Sequence, residues 1–217
     1  MDLVIIATIF GTSFASVGLM ETITHAWRHG TLSRGECSGK APSSEEGKHD
    51  ESRAADNMAC DDRLRIKVSS HFLLQCWKHL VSVPEEQLVP VSGMLNERGV
   101  LEVGSFAPVR YSKASTGEVD ADPISSLASL VEMDKYGHLL TGVFHSHPFN
   151  GSEGTRPSRK DLDAQKRYQA LGYQAVSGIF SRDGYIRFFT VEEMDFEIRI
   201  VGKGIEEVGT KVYKLAV

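Results

Sequence analysis

Cysteine is scarce and unpaired in this sequence. There are three (Cys37, Cys60, Cys76), an odd number with no C-x-x-C pair. That pattern excludes a disulfide framework and a cysteine-based zinc site, and makes a reducing interior, the cytoplasm, the default compartment. Basic charge is not in excess either. Lys and Arg number 24 against 29 Asp and Glu, a net charge of −5. A broadly basic nucleic-acid face is therefore excluded, and adhesion to anionic lipid by charge alone fits poorly. No internal repeat is present, which excludes solenoids. The motifs H-E-x-x-H and P-C-x-x-C are absent as well, so zincin proteases and zinc-dependent base deaminases are set aside. What remains is a chain of 217 residues with 41% hydrophobic and 24% charged residues. Such a composition forms an ordinary core without staples.

The chain divides into three parts, residues 1–22, 23–61 and 62–217. Leu3 to Met20 carries no charge, and twelve of its eighteen residues are apolar, at the lower edge of a membrane-spanning length. Asp2 stands where a signal peptide would carry a basic residue, which speaks against a cleaved leader. Three readings stay open: a membrane anchor leaving the rest of the chain cytoplasmic, a helix docked on the domain or a partner, or an extension from an early start codon. Residues 30–61 are rich in Ser, Gly, Glu and Asp and lack large apolar residues, so this part reads as a flexible linker.

From Arg63 onward the hydrophobic periodicity is regular. RLRIKV alternates as a strand, and Ser69 or Ser70 caps an amphipathic helix through Phe72, Leu73, Cys76, Trp77 and Leu80. Cys76 falls on its apolar face, as inert core. QLVPVSGML reads as a strand in which Pro90 implies an edge position or a bulge. VLEVGSFAPV is another strand, and the polar stretch Arg110–Pro123 a loop. ISSLASLVEMDKYG forms a helix with Ile124, Leu127, Leu130 and Val131 on one face. LLTGVF is a buried strand, SRKDLDAQKRYQALGY a third helix, AVSGIF and YIRFFT a hairpin, and FEIRIV a last strand. The expected fold class is a single α/β domain with a mixed sheet.

The chemistry concentrates in FHSHPFNGSEGTRPSRKDL. His145 and His147 are two apart at the end of a buried strand, so their side chains share one side, roughly 6–7 Å apart. Two imidazoles so placed can converge on one metal ion, although a bare H-x-H also arises by coincidence, with one ring a satisfied core histidine. Ser158 and Asp161 form a capping box at the start of the third helix. If the glycine-containing loop between folds back, Asp161 joins the histidines. Two His, one Asp and an open position are the donor set of a catalytic zinc site. A general base is then needed, and Glu85 and Glu86 lie at a helix–strand junction where sites assemble. Taken alone, that pair also reads as solvated surface.

Together these residues resemble the JAMM (MPN+) zinc metalloproteases, which remove ubiquitin or ubiquitin-like proteins from lysines. The proteasome-lid deubiquitinase is one member. The likeness covers about Leu64 to Val201 in matching order, and its character is of the compact prokaryotic or archaeal kind. It implies an MPN domain, a curved mixed sheet flanked by helices with deaminase-like layering. It further implies zinc ligands His145, His147 and Asp161, an oxyanion-stabilising Ser158, and Glu86 as the base in preference to Glu85. Partners implied are a modifier with an extended C-terminal tail and its conjugated targets. Tyr111 to Asp122 stands where the family carries an insertion that can pair with that tail; a mobile surface loop is the other reading. Two features depart from the family pattern. Ten residues separate His147 from Ser158, against seven in the commonest pattern, and Pro90 and Ser92 interrupt an otherwise apolar strand. A non-catalytic MPN-type scaffold is the alternative function. A metal-dependent hydrolase barrel is too large for about 155 residues, since ~250 is typical. A DNA-repair relative of the same fold fits the acidic balance poorly.

Overall fold

The computed structural model describes residues 63–191 and 194–216. The expectations for residues 1–22 and 23–61 lie outside the described residues. Among the described residues no helix is long and apolar enough to cross a membrane.

Eleven strands and three helices follow in the order β1 (Leu64–Ser69), α1 (Ser70–Leu80), β2 (Leu88–Leu95), β3 (Val100–Phe106), β4 (Tyr111–Ala114), β5 (Val119–Ala121), α2 (Pro123–Lys135), β6 (Leu139–Ser146), α3 (Arg159–Ala170), β7 (Ser177–Phe180), β8 (Tyr185–Phe189), β9 (Phe196–Val201), β10 (Ile205–Gly209) and β11 (Val212–Leu215). Nine strands form one curved mixed sheet in the order β10-β11-β8-β7-β6-β2-β3-β1-β9. Strands β4 and β5 form a separate two-stranded hairpin. The α/β class expected from the periodicity is what the chain adopts.

The alternation of side chains along each strand assigns the helices to opposite faces of the sheet. Phe144, Val89 and Val91 pack with Phe72, Leu73, Cys76 and Leu80 of α1. The neighbouring Val143 and Leu88 point the other way, against Leu130 and Met133 of α2 and Tyr168 of α3. His145 and His147 continue the Val143 face, so the strand directs both imidazoles toward the layer that holds α3. Strand β6 runs parallel to β7, and α3 is the crossover helix between them. The start of α3 therefore lies at the carboxyl end of β6, where ligands gather in α/β folds. Burial pushes the Cys76 thiol up to about 12, and it is inert as expected.

Three expectations need correction, and a fourth is decided. Of the edge position or bulge that Pro90 implied, the bulge is present: β2 lies between β3 and β6, with bulges at Val91–Gly93. The Pro90 carbonyl accepts the Ala107 N–H at 3.1 Å. Residues 110–123 are not a loop but contain the β4–β5 hairpin. On α2 the buried positions are Ser126, Ser129, Leu130 and Met133, whereas Ile124 and Val131 are 65% and 51% exposed. The two serines bury because their hydroxyls bond the Asp122 and Ser125 carbonyls one turn back. Finally, β10 and β11 extend the sheet beyond the last expected strand.

Candidate metal centre

Each element brings one part of the site. Strand β6 presents His145, and His147 follows directly after it. The register that pairs Leu88 with His145 carries on through Gln87, whose N–H donates to Ser146 Oγ at 3.0 Å, and whose carbonyl accepts the Ser146 N–H at 2.9 Å. One step further, Glu86 falls opposite His147. Glu86 lies half-buried and lines the cleft with both histidines. Glu85 points outward and is exposed. The structure thus separates the two adjacent carboxylates that the sequence leaves side by side.

Helix α3 supplies the third donor. Ser158 is its N-cap: its Oγ accepts the Asp161 N–H at 3.3 Å, and Asp161 Oδ2 accepts the Ser158 N–H at 2.7 Å. This capping box fixes the first turn, and with it the direction of Asp161. Asp161 Oδ1 comes to 3.2 Å from His145 Nε2 and Oδ2 to 3.6 Å from His147 Nε2. The two imidazole Nε2 atoms are 3.2 Å apart. The ligand atoms of His145, His147 and Asp161 all lie within 4.8 Å of one another, a group able to hold one metal ion.

The donor chemistry fits a divalent ion such as zinc. His147 Nδ1 faces the Gly154 carbonyl oxygen at 3.0 Å. A carbonyl only accepts, so Nδ1 carries the proton and Nε2 presents its lone pair inward. Asp161 Oδ1 is free of the capping bond that occupies Oδ2. Two neutral nitrogens and one carboxylate oxygen form a borderline-soft set of the kind zinc prefers.

Electrostatics follow from burial and proximity. Burial alone would raise the Asp161 carboxyl, but with no metal bound the adjacent His145, His147 and Ser158 hold it well below the usual carboxylate range. Burial works against protonation of His147, yet Asp161 outweighs it and raises the imidazole above its ordinary value. Glu86 moves the other way from Asp161: desolvation lifts its carboxyl, only partly offset by His147 and His145. One site thus keeps one carboxylate firmly ionised and the other readier to take a proton.

These groups line a cleft of about 320 Å³. Its floor includes Val143, Tyr168 and Ser177, and one wall is β5 with Gly117 and Glu118. Phe149, 63% exposed, stands on the rim. The ten residues between His147 and Ser158 contain a 3-10 turn, Glu153–Thr155. Two residues that sequence reasoning missed anchor this loop. The Asp183 carboxylate accepts the Gly151 N–H at 2.9 Å. Arg187 donates to the Ser152 carbonyl at 3.1 Å and to Thr155 Oγ1 at 3.3 Å. Both lie on the β7–β8 hairpin, and no local spacing signals a contact made across thirty residues of chain.

No family model and no curated protein matches this sequence. Among solved structures, the chain is similar to the solution structure of DSY2949 from Desulfitobacterium hafniense, at 19% identity, covering 64% of this chain and 94% of that one, with a TM-score of 0.46. It is also similar to the crystal structure of AF2198, a JAB1/MPN domain protein from Archaeoglobus fulgidus, at 19% identity, covering 63% and 98% of the two chains, with a TM-score of 0.37.

Proposed function

We propose that this chain is a zinc-dependent isopeptidase that removes ubiquitin or a ubiquitin-like modifier from lysine side chains of target proteins. The observation that carries the reading is the approach of His145, His147 and Asp161 to within 3.2–3.6 Å of one another, in a cleft that Glu86 and Ser158 also line. It is supported by the sequence order H-S-H-P then S-x-x-D, with a glutamate upstream, which resembles the JAMM proteases.

In this reading His145, His147 and Asp161 hold the zinc. When bound, the ion supplies Lewis-acid chemistry, polarising a carbonyl oxygen and acidifying water. Glu86 takes the proton of the attacking water and later hands it to the departing lysine amine. Its burial suits that double role, because a desolvated carboxylate holds a proton more readily than a surface one. Ser158 Oγ accepts from the Asp161 N–H, and its own hydroxyl proton is placed to donate to the oxyanion that develops on the scissile carbonyl. The extended tail of the modifier lies along the β4–β5 hairpin, which forms a wall of the cleft, as an added strand.

The test is incubation with a panel of ubiquitin-like proteins carrying C-terminal fusions, with and without a chelator. Cleavage at the modifier's C-terminus, abolished by chelation and restored by zinc, supports the reading. Stoichiometric zinc with no cleavage of any member moves the assignment to a non-catalytic scaffold.

A further inference from the structure

We propose that Lys160 is a positioning residue, holding the β4–β5 hairpin across the cleft so that a docked tail meets Glu86 and the metal ligands in register. The inference rests on the reading of the hairpin as the docking edge for that tail.

An isolated two-stranded hairpin is marginal in water. The β4–β5 pair is not part of the nine-stranded sheet, so its place depends on what its neighbours hold. Val119 and Ala121 of β5 are buried, and three hydrogen bonds tie the hairpin to the β2 side. The Ser115 carbonyl accepts the Glu86 N–H at 2.8 Å. The Tyr111 hydroxyl donates to the Leu88 carbonyl at 3.0 Å and accepts the Leu88 N–H at 3.3 Å. The opposite wall of the cleft contributes Lys160. Its Nζ lies 2.8 Å from Glu118 Oε1 and 2.8 Å from Asp120 Oδ1. Glu118 and Asp120 are two apart on the hairpin, and one ammonium, with three donors, satisfies both.

Charge makes the bridge matter. Glu86, Glu118, Asp120 and Asp161 all line the cleft. With Lys160 gone, the two hairpin carboxylates would face the other two across the opening, and Lys113 would remain to partner Glu118 from within the hairpin. Like charges in a partly desolvated cleft repel, so the hairpin would swing outward. Lys160 also stands between Ser158 and Asp161 in the chain, which couples hairpin placement to the turn that carries a metal ligand. Its side chain is 51% exposed, so replacing it removes the bridge without hollowing the core.

The test is amide hydrogen exchange of residues 111–121 in the full, zinc-loaded chain, comparing the unaltered protein with K160A, K160R and D120N. K160A and D120N should speed exchange in the hairpin about fivefold, the loss expected for a partly exposed bridged ion pair. Exchange in β6 should not change, zinc content should be unaltered, and K160R should restore protection. With a ubiquitin-like fusion as substrate, K160A should raise KM about fivefold and change kcat by less than about twofold, because uniform binding is lost and not the chemistry. Hairpin exchange unchanged in K160A, zinc lost from it, or a fall in kcat at constant KM would each overturn the proposal. If the exchange pattern appears but the unaltered chain cleaves no fusion, the isopeptidase reading falls while placement of the hairpin by Lys160 stands.

Discussion

His147 Nδ1 lies 3.0 Å from the carbonyl oxygen of Gly154, seven residues further along the chain. That contact sets which nitrogen of His147 faces Asp161, and it depends on a loop held from outside by Arg187 and Asp183. The donor set is therefore oriented by three elements: β6, α3 and the β7–β8 hairpin.

Removing the loop's anchor should loosen the metal without unfolding the protein. Arg187→Ala removes the bonds from β8 to the Ser152 carbonyl and Thr155 hydroxyl, leaving the turn that carries Gly154 held by its internal bonds and by Asp183. Zinc affinity should fall about tenfold, the lower range for a lost outer-shell contact. Competition against a chromophoric chelator measures it. An unchanged affinity would show that the loop does not depend on Arg187.

Glu86→Gln should keep zinc and fold while lowering kcat by about 10²–10⁴-fold, the usual contribution of a general base. The same substitution should raise the melting temperature of the metal-free chain at neutral pH. The sign follows from the raised Glu86 carboxyl. The folded state binds this proton more tightly than the unfolded chain, so stability declines as pH rises through the ordinary value of 4.5 and the folded-state value above it. Gln carries no charge to desolvate and escapes that loss. A melting temperature lowered by the substitution would contradict this account of Glu86.

Ser158 has two separable duties, and two substitutions separate them. Ser158→Ala removes cap and hydroxyl, and should cost about 1 kcal/mol of stability and about 10²-fold in kcat. Ser158→Asp restores an N-cap but, as an ionised acceptor, has no proton to donate, so it should recover the stability but not the turnover. Thermal melts and initial rates on one fusion substrate report both. Full turnover in the Asp variant would remove Ser158 from oxyanion stabilisation.

Gly142 connects strand pairing to the metal site three residues before His145. A Cβ there would lie 2.0 Å from the Val176 carbonyl oxygen, at a φ of +154°. Gly142→Ala must push β6 and β7 apart or bend β6, and either moves His145. The expected loss is about 2–3 kcal/mol, read by urea denaturation, with weaker zinc binding alongside. A variant as stable as the unaltered chain would mean that the β6–β7 spacing is softer than the structure shows.

The donors were legible in the sequence because their chemistry is local. His145 and His147 share a strand face, and Ser158 with Asp161 spells out a capping box. Choosing Glu86 over Glu85 needed the resemblance, and the register with β6 gives it a physical reason. The faults in the reading arise where tertiary context overrides local pattern. Residues 110–123 look like a loop because Ser112, Ser115, Gly117 and Asp120 are polar, yet Val119 and Ala121 are buried and ion pairs and backbone contacts hold the rest of the hairpin. On α2, apolar spacing chose Ile124 and Val131, whereas Ser126 and Ser129 bury by satisfying their hydroxyls within the helix. Pro90 left an edge and a bulge open, and only the sheet order, with β2 between β3 and β6, decides for the bulge. Arg187 and Asp183 gave no signal at all, since each acts on a loop about thirty residues away.

The roles given to Glu86 and Ser158 stand or fall with one divalent ion held jointly by His145, His147 and Asp161. Elemental analysis of the purified chain after dialysis against trace-metal-free buffer, alongside His145→Ala and Asp161→Asn, tests that joint binding. The unaltered protein should hold about one zinc per chain and each variant about a tenth of that or less, since three protein donors are the minimum for a tightly held ion. Equal zinc in all three proteins, or none in the unaltered chain after reconstitution, would contradict it.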